Sequence, residues 1–175
     1  MVEVFIGLGS NLGNRKENLR RALRLLSEQM TLIKTSSIYE SEPMYVKDQS
    51  WFLNAVAEFE TNLEPLALLE FLQMVEKDLG MEKIVKYGPR SIDLDILFYG
   101  DQILKIGDIL QIPHLLIQER RFVLLPLTEI NPDYKHPVFG TTIEILLRNL
   151  KSNERVEMRS CCERRIWNQY TRSRK

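Results

Sequence analysis

The chain has 175 residues, of which 44% are hydrophobic and 27% are charged, values typical of a globular protein of one domain. Its 24 basic and 24 acidic residues balance, so the net charge gives no sign of a nucleic-acid partner. No apolar run is long enough to span a bilayer and no signal peptide precedes the first predicted strand, so we expect a cytoplasmic protein without a membrane partner. The only cysteines, Cys161 and Cys162, are adjacent and do not form a disulfide framework.

Strands and helices alternate along the first part of the chain. Apolar residues at every second position predict four strands, over residues 2–9, 31–39, 53–61 and 92–99. Apolar residues at helical spacing predict two helices between them, the first capped by Asn14 and the second running from Pro65 to Gly80. The order β-α-β-β-α-β predicts a ferredoxin-like α+β sandwich, in which a four-stranded antiparallel sheet carries both helices on one face and leaves the other face open.

The rest of the chain adds elements to this unit. Two more helices are predicted, one over residues 121–130 that is broken at Pro126 and one over residues 142–150. We expect residues 1–150 to form one domain and residues 151–175 to form a tail, in which eight basic residues outnumber three acidic ones. A surface helix, an oligomer contact and a disordered end are all consistent with the tail, and we expect a monomer or a weak homo-oligomer.

Two aspartates within a predicted strand are the most informative feature of the chain. Asp93 and Asp95 lie in the apolar run at 92–99, although aspartate is unfavourable in strands. Strand alternation puts both carboxylates on one face, with Cα atoms about 6.5 Å apart, and an apolar set on the other face: Ile92, Leu94, Ile96 and Phe98. Paired carboxylates of this kind hold Mg²⁺ together with substrate phosphates, so we prefer a metal site to a solvated strand face.

Cationic side chains accompany the aspartates. Arg90 precedes Asp93 by three residues in a Gly-Pro-Arg turn, and further cations come before and after it: Lys83, Lys86, His114, Arg120 and Arg121. This mixture fits a metal–polyphosphate site, in which Mg²⁺ bridges phosphate oxygens and cationic side chains neutralise the rest. The chain has no P-loop, no kinase signature and no complete dinucleotide fingerprint, so the pattern predicts a phosphoryl-type transferase outside those classes.

Five blocks of the chain resemble the 6-hydroxymethyl-7,8-dihydropterin pyrophosphokinases of folate biosynthesis: residues 9–13, 52–54, 88–97, 113–114 and 119–127. The most specific of them contains Gly-Pro-Arg-Ser-Ile-Asp-Leu-Asp at residues 88–95. The resemblance runs from about residue 4 to residue 150 and implies the ferredoxin-like fold. It also implies that the β,γ-pyrophosphoryl group of ATP is transferred to the hydroxymethyl group of the pterin, with release of AMP.

The resemblance implies a role for individual residues. Asp93 and Asp95 would hold two Mg²⁺ ions, with ATP as the co-substrate. The pterin would contact Ser41, Met44, Phe52, Asn54 and Phe122. The nucleotide and its phosphates would contact Gln73, Glu76, Arg90, His114 and Arg120. Arg90 and one of two loop lysines, Lys83 or Lys86, would stabilise the charge that develops during transfer.

The chain departs from the family pattern in the loop before the aspartates. Met81 stands where an arginine is common and Tyr87 stands where a tryptophan is common, and the loop between Gly80 and Gly88 is short. These departures leave open a catalytically weak family member that binds pterin. A different hypothesis is an RNA-binding module, because ferredoxin-like sheets bind RNA through aromatic residues on the open face, but no stretch of this chain matches the aromatic RNP1 motif.

Overall fold

The computed structural model describes residues 1–44, 48–80 and 88–159. Within these ranges there are eight strands: β1 (Val2–Ser10), β2 (Thr31–Thr35), β3 (Tyr39–Ser41), β4 (Phe52–Thr61), β5 (Asp93–Tyr99), β6 (Leu104–Ile106), β7 (Leu110–Ile112) and β8 (Val156–Met158). The helices in the same ranges are α1 (Arg15–Gln29), α2 (Pro65–Asp78), α3 (Arg121–Ile130) and α4 (Ile143–Asn149), with a 3₁₀ turn at Ile117–Glu119. None of these helices is both long and apolar enough to cross a membrane.

The main sheet is antiparallel throughout, and β1 lies near its centre. Its strand order is β5-β1-β4-β3-β8, and β2 pairs with the part of β4 that β3 does not contact. β6 and β7 form a separate hairpin. The described chain is therefore a mixed α/β structure with an antiparallel sheet and four α-helices.

Local sequence signals explain where the first two helices begin and end. The Asn14 side chain accepts a hydrogen bond from the backbone N–H of Glu17 at 3.2 Å and so caps α1 as predicted. α2 begins with Pro65. Proline lacks a backbone N–H, but N–H groups in the first turn of a helix have no partner within the helix, so no hydrogen bond is lost there. After α2, Gly80 adopts φ +79°, a left-handed conformation that favours glycine. Both predicted helices are therefore confirmed.

The two faces of the sheet are covered differently. α1 and α2 pack on the first face, where they bury alternate residues of β1, β4 and β5 such as Ile6, Phe59 and Ile96. α3 and α4 pack on the second face, against a smaller core that contains Phe5 and Phe98. The two helices of the predicted ferredoxin-like unit therefore lie on one face, as predicted. The other face is not open as predicted, because its large apolar side chains also gain free energy from burial under α3 and α4.

The strand predicted over residues 31–39 is divided into β2 and β3. Between them, the Ser36 hydroxyl accepts a hydrogen bond from the N–H of Val56 at 3.0 Å. The next N–H, that of Ser37, donates to a carboxylate oxygen of Glu129 on α3 at 2.8 Å. Side-chain partners thus replace part of the strand ladder, so the two short strands pair with different parts of β4.

The predicted alternation of β5 fails near its end. Phe5 pairs with Phe98 and Ile6 pairs with Ile96, which leaves Leu97 as an extra residue on the β5 side. Beyond this bulge, Leu97 and Phe98 both belong to the core of the second face. The prediction that Phe98 shares a face with Ile96 is therefore wrong, whereas the residues before the bulge alternate as predicted.

The helix predicted over residues 121–130 is present as α3, but it is not broken at Pro126. Pro126 is buried, and α3 packs against both α4 and the sheet. This packing offsets the loss of the one backbone hydrogen bond that a proline cannot make. The helix predicted over residues 142–150 is present as α4, which Thr142 caps.

The first part of the predicted tail belongs to the sheet, and we call residues 150–159 the β8 segment. Within it, β8 pairs antiparallel with β3. Arg159 secures the end of the segment, because its guanidinium lies 3.1 Å from a carboxylate oxygen of Glu40 and its N–H donates to the carbonyl of Ile38 at 3.0 Å. Residues 160–175, including both cysteines, lie outside the described residues.

Three carboxylates lie together at the amino-terminal end of β1 on the second face. Glu3 pairs across the strands with Glu60, and Glu58 is the next residue of β4 on the same face. Burial and then the charge of Glu58 raise the pKa of Glu3, and the charge of Lys34 partly opposes this. The folded protein therefore binds this proton more tightly than the unfolded chain does, and stability falls as the pH rises through the raised pKa.

We expect Glu3→Gln to increase the free energy of unfolding at pH 7, because the neutral amide removes a charge that the folded state disfavours. The gain should shrink as the pH is lowered towards 4.5, the ordinary glutamate value, because the raised pKa of Glu3 lets the folded state take up the proton before the unfolded chain does. Denaturant titrations at pH 7 and at pH 4.5 measure the free energy of unfolding. Glu28→Gln, at an exposed position on α1, is the control and should change neither value. Equal stability of wild type and Glu3→Gln at pH 7 would contradict the expectation.

Candidate active site

A cavity of about 210 Å³ lies on the second face of the sheet, beside the start of α3. Its floor consists of alternate residues of β1, β4 and β5: Gly7, Gly9, Phe52, Asn54, Val56, Asp93, Asp95 and Leu97. Its walls include Arg90, His114, Arg120 and Phe122, together with Ser41 at the end of β3 and Met44 beyond it. The cavity therefore brings together both predicted metal aspartates, all five predicted pterin residues and three of the five predicted nucleotide residues.

Strand register sets the spacing of the floor. Gly9 pairs with Asn54 on one side and with Asp93 on the other, so the three residues form a row across β4, β1 and β5. At about 4.8 Å between neighbouring strands, Asn54 and Asp93 are separated by roughly 10 Å. A Cβ at Gly9 would lie 3.5 Å from Asn54 Oδ1 and 3.9 Å from both Asp93 Cβ and Phe52 Cδ1. The missing side chain therefore keeps the floor between these groups open.

The Asn54 amide is held in a defined orientation. The residue is only 6% exposed, and its Nδ2 donates a hydrogen bond to the hydroxyl of Ser41 at 2.8 Å. Its Oδ1 faces the space above Gly9. Because a buried amide with a fixed orientation presents its donor and acceptor in known directions, Asn54 can recognise the polar edge of a flat ring.

Aromatic and apolar side chains stand beside this amide. Phe52 and Phe122 are half-buried and both line the cavity, the first from β4 and the second from the start of α3. Met44 lies at the edge of the cavity and is 41% exposed. Two aromatic rings that line one cavity suit a planar ligand, because ring faces stack favourably.

Cationic groups meet the aspartates in the same cavity. A guanidinium nitrogen of Arg90 lies 2.6 Å from Asp93 Oδ1. The Nε of Arg120 is buried and has no hydrogen-bond partner among the described residues, and the Cζ of Arg120 lies 5.8 Å from the centroid of the Phe122 ring. Leaving a charged donor buried without an acceptor is unfavourable, so this part of the cavity is suited to an anion.

His114 is a neutral hydrogen-bond donor in this site. Burial lowers the pKa of His114 to about 4, assisted by the charge of Arg120 and opposed by that of Asp93. Its Nδ1 accepts a hydrogen bond from the N–H of Leu116 at 3.3 Å, which leaves Nε2 to carry the proton. Its backbone N–H donates to the carbonyl of Leu97 at 3.0 Å and so ties the residue to β5.

Asn11 connects three loops beside the cavity. The sequence did not predict this role. Its Oδ1 accepts a hydrogen bond from the N–H of Arg90 at 2.7 Å, and its Nδ2 donates to Gln49 Oε1 at 2.9 Å and to the Ser50 carbonyl at 3.2 Å. The N–H groups of Asn11 and Leu12 both donate to the Arg90 carbonyl at 3.1 Å. The only signal for this role was its place in the Gly-Ser-Asn-Leu-Gly turn.

Two predicted nucleotide residues do not line the cavity. Gln73 is exposed on α2. Glu76 is buried, and its Oε1 accepts a hydrogen bond at 2.8 Å from the N–H of Leu94 on β5. The nucleotide role of both residues stays a prediction. Two further predicted catalytic residues, Lys83 and Lys86, lie outside the described residues.

The aspartate pair fits a hard metal ion. The carboxylates of Asp93 and Asp95 line one cavity, and Mg²⁺ is commonly held by one or two carboxylates with substrate phosphates as further ligands. Arg120 lines the same cavity, and its guanidinium is a suitable partner for such phosphates. Among the described residues, no group of three or more His, Cys, Asp and Glu side chains is arranged to hold a metal ion.

Comparison with protein families matches residues 5–132 to 7,8-dihydro-6-hydroxymethylpterin-pyrophosphokinase (HPPK). The chain belongs to this family. The matched range contains every residue of the cavity named above. The resemblance found in the sequence is therefore confirmed.

Curated relatives of two kinds are similar to the chain. Folic acid synthesis protein fol1 of Pneumocystis carinii is 50% identical over 141 residues, which are 80% of this chain and 19% of that protein. The 2-amino-4-hydroxy-6-hydroxymethyldihydropteridine pyrophosphokinase of Aquifex aeolicus is 39% identical over 139 residues, which are 79% of this chain and 86% of that protein. The chain thus spans about a fifth of the length of the fungal relative and most of the bacterial one.

Solved structures of the family share the fold. The crystal structure of Plasmodium falciparum HPPK-DHPS with pteroate superposes with a TM-score of 0.70 at 20% sequence identity, and the match covers 84% of this chain and 42% of that one. At this level of identity the likeness supports the mixed α/β architecture and not the details of the chemistry.

The open floor at Gly9 yields a prediction. Gly9→Ala should leave stability nearly unchanged, because its Cβ would make only ordinary contacts, but it should weaken binding of 6-hydroxymethyl-7,8-dihydropterin by about tenfold or more. Calorimetry in the presence of a non-hydrolysable ATP analogue measures the affinity.

Gly7→Ala is the matched control for Gly9→Ala. Its Cβ would rest 3.4 Å from the Leu97 side chain and not between Asn54 and Asp93, so its effect on pterin affinity should be smaller. Unchanged affinity in Gly9→Ala would show that the ligand does not lie on this floor.

Proposed function

We propose that the protein transfers the β,γ-pyrophosphoryl group of ATP to the hydroxymethyl group of 6-hydroxymethyl-7,8-dihydropterin and releases AMP, a step of folate biosynthesis. The observation that carries the proposal is the row Asn54, Gly9, Asp93 on the floor of one cavity. In this row Asn54 is suited to the polar edge of a pterin, and Asp93, on the other side of Gly9, is suited to a metal–phosphate complex. Membership of the HPPK family supports the same reaction.

The pterin would lie on the floor at Gly9. Its polar edge would meet the Asn54 amide, which offers its acceptor and the one N–H that Ser41 leaves free, both in a fixed orientation. Phe52 and Phe122 would contact the two faces of the ring, and Ser41 would support the amide from below. This arrangement would direct the hydroxymethyl group towards Asp93.

The triphosphate would lie against the cationic wall. Arg120 has a buried Nε without a partner among the described residues, and His114 offers Nε2–H as a neutral donor. Arg90 contacts Asp93, so its guanidinium is close enough to bind phosphate oxygens that lie beside this carboxylate. Donors that are positioned before the reaction stabilise the charge that develops on the phosphate oxygens without further reorganisation.

Asp93 and Asp95 would hold Mg²⁺, and the family resemblance implies two such ions. The metal would neutralise phosphate charge and polarise the β-phosphorus. The protein's own part is to hold the pterin hydroxyl and the β-phosphorus in line, so that attack and loss of AMP occur within one bound complex. His114 does not act as the base, because its Nδ1 accepts from Leu116 and its Nε2 carries a proton.

Two finer parts of the proposal concern architecture. We infer that β1, α1, β2 with β3, β4, α2 and β5 form a ferredoxin-like unit, supported by the order β5-β1-β4-β2 and the two interleaved helices. We also propose that residues 1–150 act as the pyrophosphokinase domain, supported by the family match over residues 5–132. The oligomeric state stays a prediction.

The RNA-binding hypothesis is not favoured. α3 and α4 cover part of the face that it requires to be open, and two aspartates lie on the remainder. Negative charges there would repel a phosphate backbone that arrives without metal. The hypothesis of a catalytically weak member depends on Met81 and Tyr87, which lie outside the described residues.

The direct test is AMP release from ATP and Mg²⁺, measured with and without 6-hydroxymethyl-7,8-dihydropterin. We expect release that depends on the pterin. Asp93→Ala and Asp95→Ala should each lower it to the rate without enzyme while leaving the thermal unfolding midpoint nearly unchanged, because neither side chain lies in a hydrophobic core.

Asp108→Ala, at an exposed position between β6 and β7, is the control for these variants and should retain full activity. Wild-type protein that releases no AMP in the presence of the pterin would overturn the proposed function. Near-normal release by both aspartate variants at saturating Mg²⁺ would overturn the metal assignment alone.

A second prediction separates the pterin from the nucleotide. Asn54→Ala should weaken pterin binding by roughly 1–3 kcal/mol for each ring-edge group left unpaired, with little effect on binding of an ATP analogue. Ser41→Ala should cause a smaller loss, because it removes only the hydroxyl that orients the amide. Calorimetry with each ligand decides the matter, and equal weakening of both ligands in Asn54→Ala would contradict the pterin role.

A further inference from the structure

The β8 segment lies beyond the family match, which ends at residue 132, yet it contacts two walls of the cavity. On one side β8 pairs with β3, where Val156 is the partner of Ser41. The neighbouring residues extend this contact, because the N–H of Glu42 donates to the Arg155 carbonyl at 3.3 Å and the N–H of Arg155 donates to Glu42 Oε1 at 3.4 Å. Both Ser41 and Glu42 line the cavity.

On its other side the β8 segment caps α3. Glu154 Oε2 accepts a hydrogen bond from the N–H of Arg121, the first residue of α3, at 2.8 Å. The N–H of Phe122 also bonds to this carboxylate. Arg120, which occupies the N-cap position, provides no side-chain hydrogen bond of its own. A carboxylate at a helix amino terminus satisfies free N–H groups and interacts favourably with the helix dipole, so Glu154 replaces the missing local cap.

The burial of one Glu154 oxygen sets an energetic cost against this favourable cap. Glu154 Oε1 is buried and has no hydrogen-bond partner among the described residues. Burial raises the pKa of Glu154, while the hydrogen bonds from Arg121 and Phe122 and the nearby arginine charges oppose that rise. A serine or threonine at position 120 would cap the same helix through a hydroxyl, without burying a carboxylate. Helix stability alone therefore does not account for the arrangement.

What Glu154 holds in place is part of the cavity wall. The two N–H groups that it accepts belong to the first turn of α3, and this turn carries Phe122, whose ring lines the cavity. Arg120, directly before the turn, lines the cavity too. A small displacement of this turn would move the Phe122 ring relative to the floor at Gly9 and so weaken its stacking on a planar ligand bound there.

We propose that Glu154 is a positioning residue for the pterin site: its carboxylate fixes the first turn of α3 so that Phe122 stays at the correct distance from the floor. The inference rests on the proposed function and adds a residue from outside the family match to it. The β8 segment thereby sets pterin affinity by joining the wall that carries Ser41 to the wall that carries Phe122.

The test compares Glu154→Ala and Glu154→Gln with a matched control. Thr142→Ala removes the cap of the neighbouring helix α4, where the Thr142 hydroxyl accepts from the N–H of Ile145 at 3.3 Å, and no residue of that cap lines the cavity. Each variant loses one helix cap, so a purely structural effect would be similar in both. Steady-state kinetics with 6-hydroxymethyl-7,8-dihydropterin and ATP, at a temperature well below unfolding, provide the readout.

We expect Glu154→Ala to raise the KM for the pterin by about tenfold, because the free energy of one good helix cap corresponds to about that change in affinity. It should change kcat and the KM for ATP by less than about twofold. Glu154→Gln should recover part of the affinity, because its amide oxygen still accepts from the backbone. Thr142→Ala should leave all three parameters near wild type.

The outcomes separate this inference from the proposed function. Pterin-dependent AMP release by the wild type, with an unchanged pterin KM in Glu154→Ala and Glu154→Gln, would overturn the inference alone. An equal rise in pterin KM in Thr142→Ala would also overturn it, because the effect would then follow from general loss of stability. Wild-type protein without pterin-dependent AMP release would overturn the proposed function and this role together.

Discussion

The antiparallel register of β1 with its two neighbours is the constraint on which the cavity depends. It sets Asn54 and Asp93 on either side of Gly9, and Asp95 beside Gly7. A shift of one residue would turn all of these side chains to the opposite face. The register is held by the first face, where Leu8 and its neighbours are buried against α1 and α2. Packing on one face of the sheet therefore holds the functional groups in place on the other.

Polar groups outside the sheet then join the loops to this floor. Asn11 connects the loop after β1 to the loop that carries Arg90 and to residues 49–50. Glu76 covers an N–H on the free edge of β5, next to the aspartates. Because buried polar groups are costly when unpaired, each of these bonds restricts the loops to one arrangement. The cavity is therefore prepared before a ligand arrives.

The electrostatics of the cavity favour an anionic ligand that brings metal with it. Arg90 accompanies Asp93, while Arg120 keeps a buried donor without a partner among the described residues. His114 stays neutral because burial lowers its pKa to about 4, so it adds a donor without adding charge. The metal-binding carboxylates and the anion-binding groups thus occupy one cavity, and a metal–polyphosphate complex satisfies both.

The sequence by itself determined the features that depend on local hydrophobic periodicity and on helix-capping residues. The Asn14 cap, Pro65 at the start of α2 and the shared face of Asp93 and Asp95 follow from interactions within a few residues, and the family resemblance located most of the cavity. The tertiary structure alone decided the features that depend on distant pairing: the Phe98 face, the cover of the second face by α3 and α4, and the contact between Glu154 and Arg121. A bulge, a helix docked across a sheet and a cap from another segment leave no period in the sequence, because their partners are far apart along the chain.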